Sequence, residues 1–175
     1  DVKFRTFSKE TVINYSGVGK FTILNGGFDY TEGTYSNVPL TGGSGSGATA
    51  LIEVSDAGIV SSIIIQDGGS GYRRGDYLSV DDDQLDRSGA SLSSSRLTLY
   101  VDHAGVASDA SLMPVKSTNG LSEGDFLKVG NEIIQISSIS GNILSILRAK
   151  EGTEALNHFD GQSVSIYNPR YNFAD

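Results

Sequence analysis

The feature that most constrains this chain is a frame of ten residues, Gly-Gly-x-x-Tyr-x-x-Gly-x-Tyr, that occurs twice. The first copy is carried by Gly26, Gly27, Tyr30, Gly33 and Tyr35, the second by Gly68, Gly69, Tyr72, Gly75 and Tyr77. A shift of 42 residues superimposes them without a gap. The residues leading in also match: Val18 with Val60, Phe21 with Ile63, Ile23 with Ile65, and Asn25 with Asp67. Glycine and tyrosine at fixed offsets mark a duplicated structural unit, because repeated framework residues are usually architectural. Tyr30, Tyr35, Tyr72 and Tyr77 are read first as covers for the module's own core. Their apolar rings and polar tips also make them candidates for an interface or a glycan shelf.

Between the copies lies Gly42 to Ala48, a Gly/Ser-rich bridge read as a flexible linker or hairpin tip. Its Gly43-Ser44-Gly45-Ser46-Gly47 run is set against the Gly-x-Ser-x-Gly nucleophile elbow, but that elbow needs a strand-turn-helix context that is not predicted here. It also lacks the Gly-Lys-Ser/Thr ending of a phosphate loop.

Gly, Ser, Thr, Val, Ile and Tyr dominate, and charged residues make up only 19% of the 175 residues, which favours strands over helices. No segment sustains a helical apolar period. The predicted class is all-β: two small antiparallel β modules, sandwich- or barrel-like, with Gly-rich turns and about 10–11 strands of roughly 5 residues. An N-terminal arm is placed at 1–16, the duplicated module at 17–88, a second module at 89–168 and a tail at 169–175. The boundary follows the polar run of Asp81, Asp82, Asp83, Asp86 and the serines after Ser88. Ile59 to Gln66 is dense enough in β-branched residues for a strand buried on both faces. Gly130-Asn131 and Gly141-Asn142 signal tight turns between adjacent strands. Ala149 to Phe159 reads as a short helix or a loop.

A net charge of −8 argues against nucleic acid and anionic membrane surfaces as partners. The absence of cysteine excludes disulfides, thiolate metal sites and cysteine nucleophiles. No apolar run is long enough for a membrane helix. A start at Asp1, without Met or a signal-like run, reads as a piece processed or excised from something longer. Asp81, Asp82, Asp83 and Asp86 have the oxygens for Ca²⁺, but no EF-hand frame surrounds them, and a solvated acidic loop is the preferred reading. His103 and His158 lack helical metal-ligand spacing and read as satisfied structural histidines. No catalytic residue, metal site or cofactor is expected.

The second half carries a longer pattern. Gly124-Asp125-Phe126-Leu127 precedes Gly130-Asn131-Glu132-Ile133-Ile134-Gln135-Ile136 and a Gly141-Asn142 turn. Then come Arg148-Ala149, Gly152-Thr153, Ala155 and His158, with Gly161 and Val164. This resembles a module of phage tail and baseplate proteins. The Gly/Tyr frame resembles repeats in virion proteins of contractile-tailed phages that infect cyanobacteria. The resemblance implies a non-enzymatic virion component of the tail, baseplate or tail-fibre region, located in the phage particle. Its partners would be other virion proteins, in a homo-oligomeric or multi-copy symmetric assembly. Strand edges, the terminal arm with Phe4 and Phe7, and Tyr171 and Phe173 in the tail would serve as contacts. The alternative is a glycan-binding adhesin that meets host surface polysaccharide through Tyr30, Tyr35, Tyr72 or Tyr77. A depolymerase using Asp81 and Asp86 ranks third. Ala149 stands where the resembled pattern has Gly, which predicts a negative φ there.

Overall fold

Asn25 and Asp67, which precede the paired glycines, bend the chain in the same way in both repeats. The computed structural model describes residues 10–87 and 95–168. In it the Asn25 Oδ1 accepts the Gly27 N–H at 2.8 Å, and the Asp67 Oδ1 accepts the Gly69 N–H at 2.8 Å. Such side-chain turns are what Asn and Asp offer at a strand end. Gly27 and Gly69 take φ of 69° and 64°, the left-handed region that a Cβ disfavours. A Cβ on Gly69 would also stand 2.3 Å from the Ser46 carbonyl oxygen.

The chain runs through β1 (Glu10–Val12), β2 (Val18–Gly26), β3 (Gly33–Pro39), β4 (Ser46–Val54), β5 (Val60–Ser70) and β6 (Tyr77–Leu78). A 3-10 turn (Asp82–Leu85) precedes β7 (Leu97–Ala104), β8 (Leu112–Pro114), β9 (Phe126–Val129), β10 (Glu132–Ser140), β11 (Ile143–Lys150) and β12 (Ser163–Tyr167). Every pairing is antiparallel. The protein is all-β. No helix among the described residues is long and apolar enough to cross a membrane.

Two units divide the strands. Residues 16–105 form one, and the chain before and after them forms the other. The boundary expected at 88/89 is therefore at 105/106, because β7 pairs with β2 and β6 and belongs to the first module. The N-terminal segment is not a free arm over its described part. β1 pairs with β12 and belongs to the second unit.

Within the inserted unit, neither repeat completes a sheet by itself. One sheet is β2-β7-β6, the other β3-β4-β5. The first strand of each repeat pairs with the last strand of the other, and the registers correspond. Phe21, Ile23 and Gly26 face Val101, Leu99 and Leu97; their counterparts Ile63, Ile65 and Gly68 face Ile52, Ala50 and Ala48. The core matches accordingly: Val18 with Val60, Tyr30 with Tyr72, Ala48 with Leu97, Ala50 with Leu99 and Ile52 with Val101 are all buried. β3 departs by a bulge between Tyr35 and Val38, with Asn37 at φ 54° and its N–H held by the Gln66 side chain at 2.6 Å. β5 buries one face only. Ile64 points away from the core and is 57% exposed, because that face of the sheet is left uncovered.

The Gly/Ser bridge is a fixed loop, not a flexible linker. The Asp76 carboxylate accepts the Ser44 N–H at 3.0 Å and the Ser44 hydroxyl at 2.7 Å. A Cβ on Gly45 would stand 2.5 Å from the Tyr72 ring, so the glycine gives the tyrosine its seat. The bridge runs directly into β4, with no helix after it.

The other unit is a single six-stranded sheet, β1-β12-β9-β10-β11-β8. Its two outer strands meet at an Ile13–Val115 bridge, where Asn14 N–H donates to the Pro114 oxygen and Lys116 N–H to the Val12 oxygen, both at 2.9 Å. The sheet thus closes on itself, which removes unpaired edges. Two-residue loops at Gly130-Asn131 and Gly141-Asn142 join its central strands, each glycine at positive φ as tight hairpins demand. Ile13, Met113, Leu127, Ile134, Ile136, Leu144 and Val164 fill the interior.

The matched tyrosines differ at the hydroxyl. Tyr30 accepts the Leu97 N–H at 2.8 Å, whereas the buried Tyr72 hydroxyl has no partner among the described residues. Tyr30→Phe should cost roughly 1–3 kcal/mol by orphaning a buried N–H, while Tyr72→Phe should be neutral or stabilising. Urea unfolding of the two variants checks this, and equal losses would contradict the asymmetry.

Candidate functional site

The residues that carry the resemblance in the second half converge on one carboxylate. Glu132 opens β10 directly after the Gly130-Asn131 turn, and its side chain is fully buried. Arg148, on the neighbouring strand β11, turns the Nε–Nη2 edge of its guanidinium toward it. Its Nε donates to Oε1 at 2.8 Å and its Nη2 to Oε2 at 2.7 Å. This bidentate fork is the strongest geometry available to the pair. The Ala149 N–H adds a bond to Oε1 at 3.1 Å, the Leu156 N–H one to Oε2 at 2.9 Å, and His158 Nε2 lies 2.8 Å from Oε2. The rest of the guanidinium serves the Ala107 carbonyl at 2.9 Å and the Leu156 carbonyl.

The network lashes down the segment between β11 and β12, which forms a loop rather than a helix. His158 exchanges backbone bonds with Val106, and the Thr153 hydroxyl accepts the Ile133 N–H at 3.0 Å and donates to the Lys150 carbonyl at 2.7 Å. Ala149 takes φ 52°, so the negative φ expected from its side chain is wrong. The fixed partners on both sides hold the residue in the left-handed region despite its Cβ, at a cost of about 1–2 kcal/mol.

Burial alone would push the Glu132 carboxyl up. The Arg148 guanidinium, the Leu156 and Ala149 N–H groups and His158 outweigh it and bring the pKa from 4.5 to about 2. A carboxylate, an imidazole and a guanidinium in contact would suit acid–base chemistry in an open cleft. Here both carboxylate oxygens are occupied by donors, and the Glu132 and His158 side chains are 0% and 2% exposed. The cluster holds structure and offers no atom to a substrate.

The sequence candidates fall into distinct classes. Tyr30 and Tyr72 are each 4% exposed and cover the core beside glycines. Tyr35 is half-buried and donates its hydroxyl to the Thr31 carbonyl at 2.9 Å; burial, with the Asp86 charge next, raises its pKa. Tyr77 alone of the four stands out, at 59% exposure. Its ring meets that of Tyr100 edge to face, at 5.6 Å and 69°. Tyr171, Phe173, Phe4 and Phe7 lie outside the described residues. In the acidic run, Asp82 is taken by Arg87 at 2.9 Å and Arg96 at 2.8 Å. Among the described residues no three His, Asp or Glu side chains gather as a metal site. His103 is buried in β7.

Comparison with family models, with curated proteins and with solved structures finds no match to this chain.

Two outcomes follow for the cluster. Glu132 has a folded pKa below its unfolded value, so its stabilisation is present above about pH 4.5 and is lost as pH falls toward about 2. Partial burial pushes Asp76 up, but the Ser44 hydroxyl and N–H, the Arg73 N–H and the Arg73 charge outweigh it, and this second lowered pKa adds to the same slope. Glu132→Gln should destabilise by roughly 3–5 kcal/mol, leaving the Arg148 charge unpaired, and should flatten this acid dependence. Ala149→Gly should stabilise by about 0.5–1 kcal/mol, the left-handed strain relieved less the added chain entropy. Urea midpoints between pH 7 and pH 2.5 check both.

Proposed function

We propose that the chain is a non-enzymatic structural component of a tailed-phage virion, in the tail, baseplate or tail-fibre region, acting by protein–protein assembly. The observation that carries this reading is the saturation of the Glu132 cluster. The residues that resemble the phage tail module are spent on holding a loop to a closed sheet, which is what a persistent building block needs. Buried and fully bonded, such a network resists local opening. A cysteine-free chain of short-turned sheets suits a particle that persists without repair.

The surfaces for assembly differ between the units. In the six-stranded sheet the outer strands meet at the Ile13–Val115 bridge, and side chains offer the contact surface. Leu112 on β8 and Ile143 and Leu147 on the adjacent β11 are 53%, 43% and 45% exposed and form an outward apolar strip. In the inserted unit β3 and β6 end their sheets, and strand ends of that kind can accept a partner strand. Partners in this reading are other virion proteins and further copies of the chain. Weak single contacts would gain strength from repetition.

The test is a cryo-EM map of virions of the phage that encodes the chain. Density for both units in a tail or baseplate ring is the expected result, and a particle without the chain would sink the proposal. In solution, sedimentation should show concentration-dependent association. Paired Leu112→Glu and Leu147→Glu substitutions should shift it to monomer with an unchanged circular-dichroism spectrum.

A further inference from the structure

The two repeats share their inward faces but not their outward ones. Arg96, just before β7, and Thr98 and Tyr100 within it alternate outward with buried Leu97 and Leu99. On the adjoining segment, Tyr77, Ser79 and Asp81 alternate outward with buried Leu78 and Val80. Of these, Tyr77, Ser79, Asp81, Arg96 and Thr98 line an open groove of about 370 Å³, rimmed by Thr41, and Tyr100 stands beside Tyr77. The register that matches Leu97 to Ala48 assigns Gly47, Thr49 and Leu51 to the corresponding outward positions of the first repeat. The equivalents there of Arg96 and Tyr100 are thus a bare glycine and an aliphatic side chain. Tyr35, the counterpart of Tyr77, is half-buried and tied to the Thr31 carbonyl. Tyr77 and Thr98 keep their residue types in the first repeat as Tyr35 and Thr49, but the exposure of Tyr77 and the presence of Tyr100 and Arg96 belong to the second repeat alone.

We infer that this face of β6 and β7 is a binding site for a neutral oligosaccharide. The Tyr77 ring, braced edge-on by Tyr100, presents a flat apolar face of the kind on which the C–H side of a pyranose can stack. The Asp81 carboxylate is exposed and has no partner among the described residues, while Arg96 is 54% exposed and bonded through Nη2 to Asp82. By register Asp81 lies across from Arg96 at the end of the groove away from Tyr77, so a sugar chain stacked on the ring meets a carboxylate and a guanidinium further along, groups that suit its hydroxyls. The ligand is neutral because residues 16–105 carry eleven acidic and five basic side chains, a field that repels polyanions. The groove is shallow and open, so single-site affinity is weak and strength comes from multiple copies. This inference does not rest on the virion reading; it concerns the groove whatever particle or cell carries it.

The experiment titrates the full chain with cellohexaose, maltohexaose and chitohexaose, read by NMR shifts of labelled protein and by calorimetry. At least one should bind with a Kd of about 1 mM, an ordinary strength for a shallow single site. Tyr77→Ala should weaken binding about tenfold or more, and Tyr77→Phe should keep it within about threefold, because stacking needs the ring rather than the hydroxyl. Asp81→Asn should weaken it, and Phe159→Ala, which removes an exposed ring in the other unit, should leave it unchanged. Tyr77 is exposed, so the fold survives its substitution, with circular dichroism as the control. Failure of all three sugars to bind at about 10 mM, a ceiling tenfold above that Kd, overturns the inference. So does binding indifferent to Tyr77→Ala. If Tyr77→Ala instead abolishes self-association in sedimentation, the face belongs to a second copy of the chain and the inference also falls.

Discussion

The inserted unit depends on an exchange of strands. Each repeat supplies its first strand to the other's sheet, so neither half has a complete set of backbone partners until both are in place. Hydrogen bonding and core burial are then satisfied together, and the unit is cooperative by construction. This explains which residues the two copies kept. The glycines at the turns, the tyrosines seated on glycine and the inward aliphatic positions are fixed by the exchange. Outward positions are not, and there the copies part.

The other unit solves a different problem. Its outer strands meet at a bridge, but the long connection before β12 pairs its backbone only at the Val106–His158 bridge among the described residues. A single buried carboxylate takes the place of a ladder. Glu132 gathers an arginine, a histidine and two backbone N–H groups from that connection and its root. A buried charge so fully bonded is costly to break and worth little if replaced as a whole, which makes it a device of specificity more than of net stability. The left-handed Ala149 is tolerated because the same carboxylate fixes its N–H.

Most strands and turns were legible because each signal was local. Glycines before Asn marked the hairpins. The duplication was legible in its first two thirds, where turn glycines and tyrosines are identical. Its last third was not. Ala48 and Ala50 correspond to Leu97 and Leu99, pairs without a shared identity, and the 3-10 turn with the residues after it shifts the spacing. The boundary was misplaced for the same reason, since the pairing of β7 with β2 is a contact between distant residues that no local pattern reports. β1 is three residues long, too short to show alternation. The burial of Glu132 was also invisible, because a glutamate at the head of a strand ordinarily reads as solvent-facing. The tyrosines were identified as a set, but only burial could separate Tyr77 from the three that serve the core and bring Tyr100 to its side.

The closed sheet is discontinuous in sequence, since its first strand is made before the insert and the remaining strands after it. Closing a loop of roughly 90 flexible residues would cost on the order of 4 kcal/mol in chain entropy. The insert lowers that figure. The Gly105 N–H donates to the Gly17 carbonyl at 2.9 Å, so once the insert is folded its two ends are neighbours. To the barrel, an entire folded unit then behaves as a tight turn.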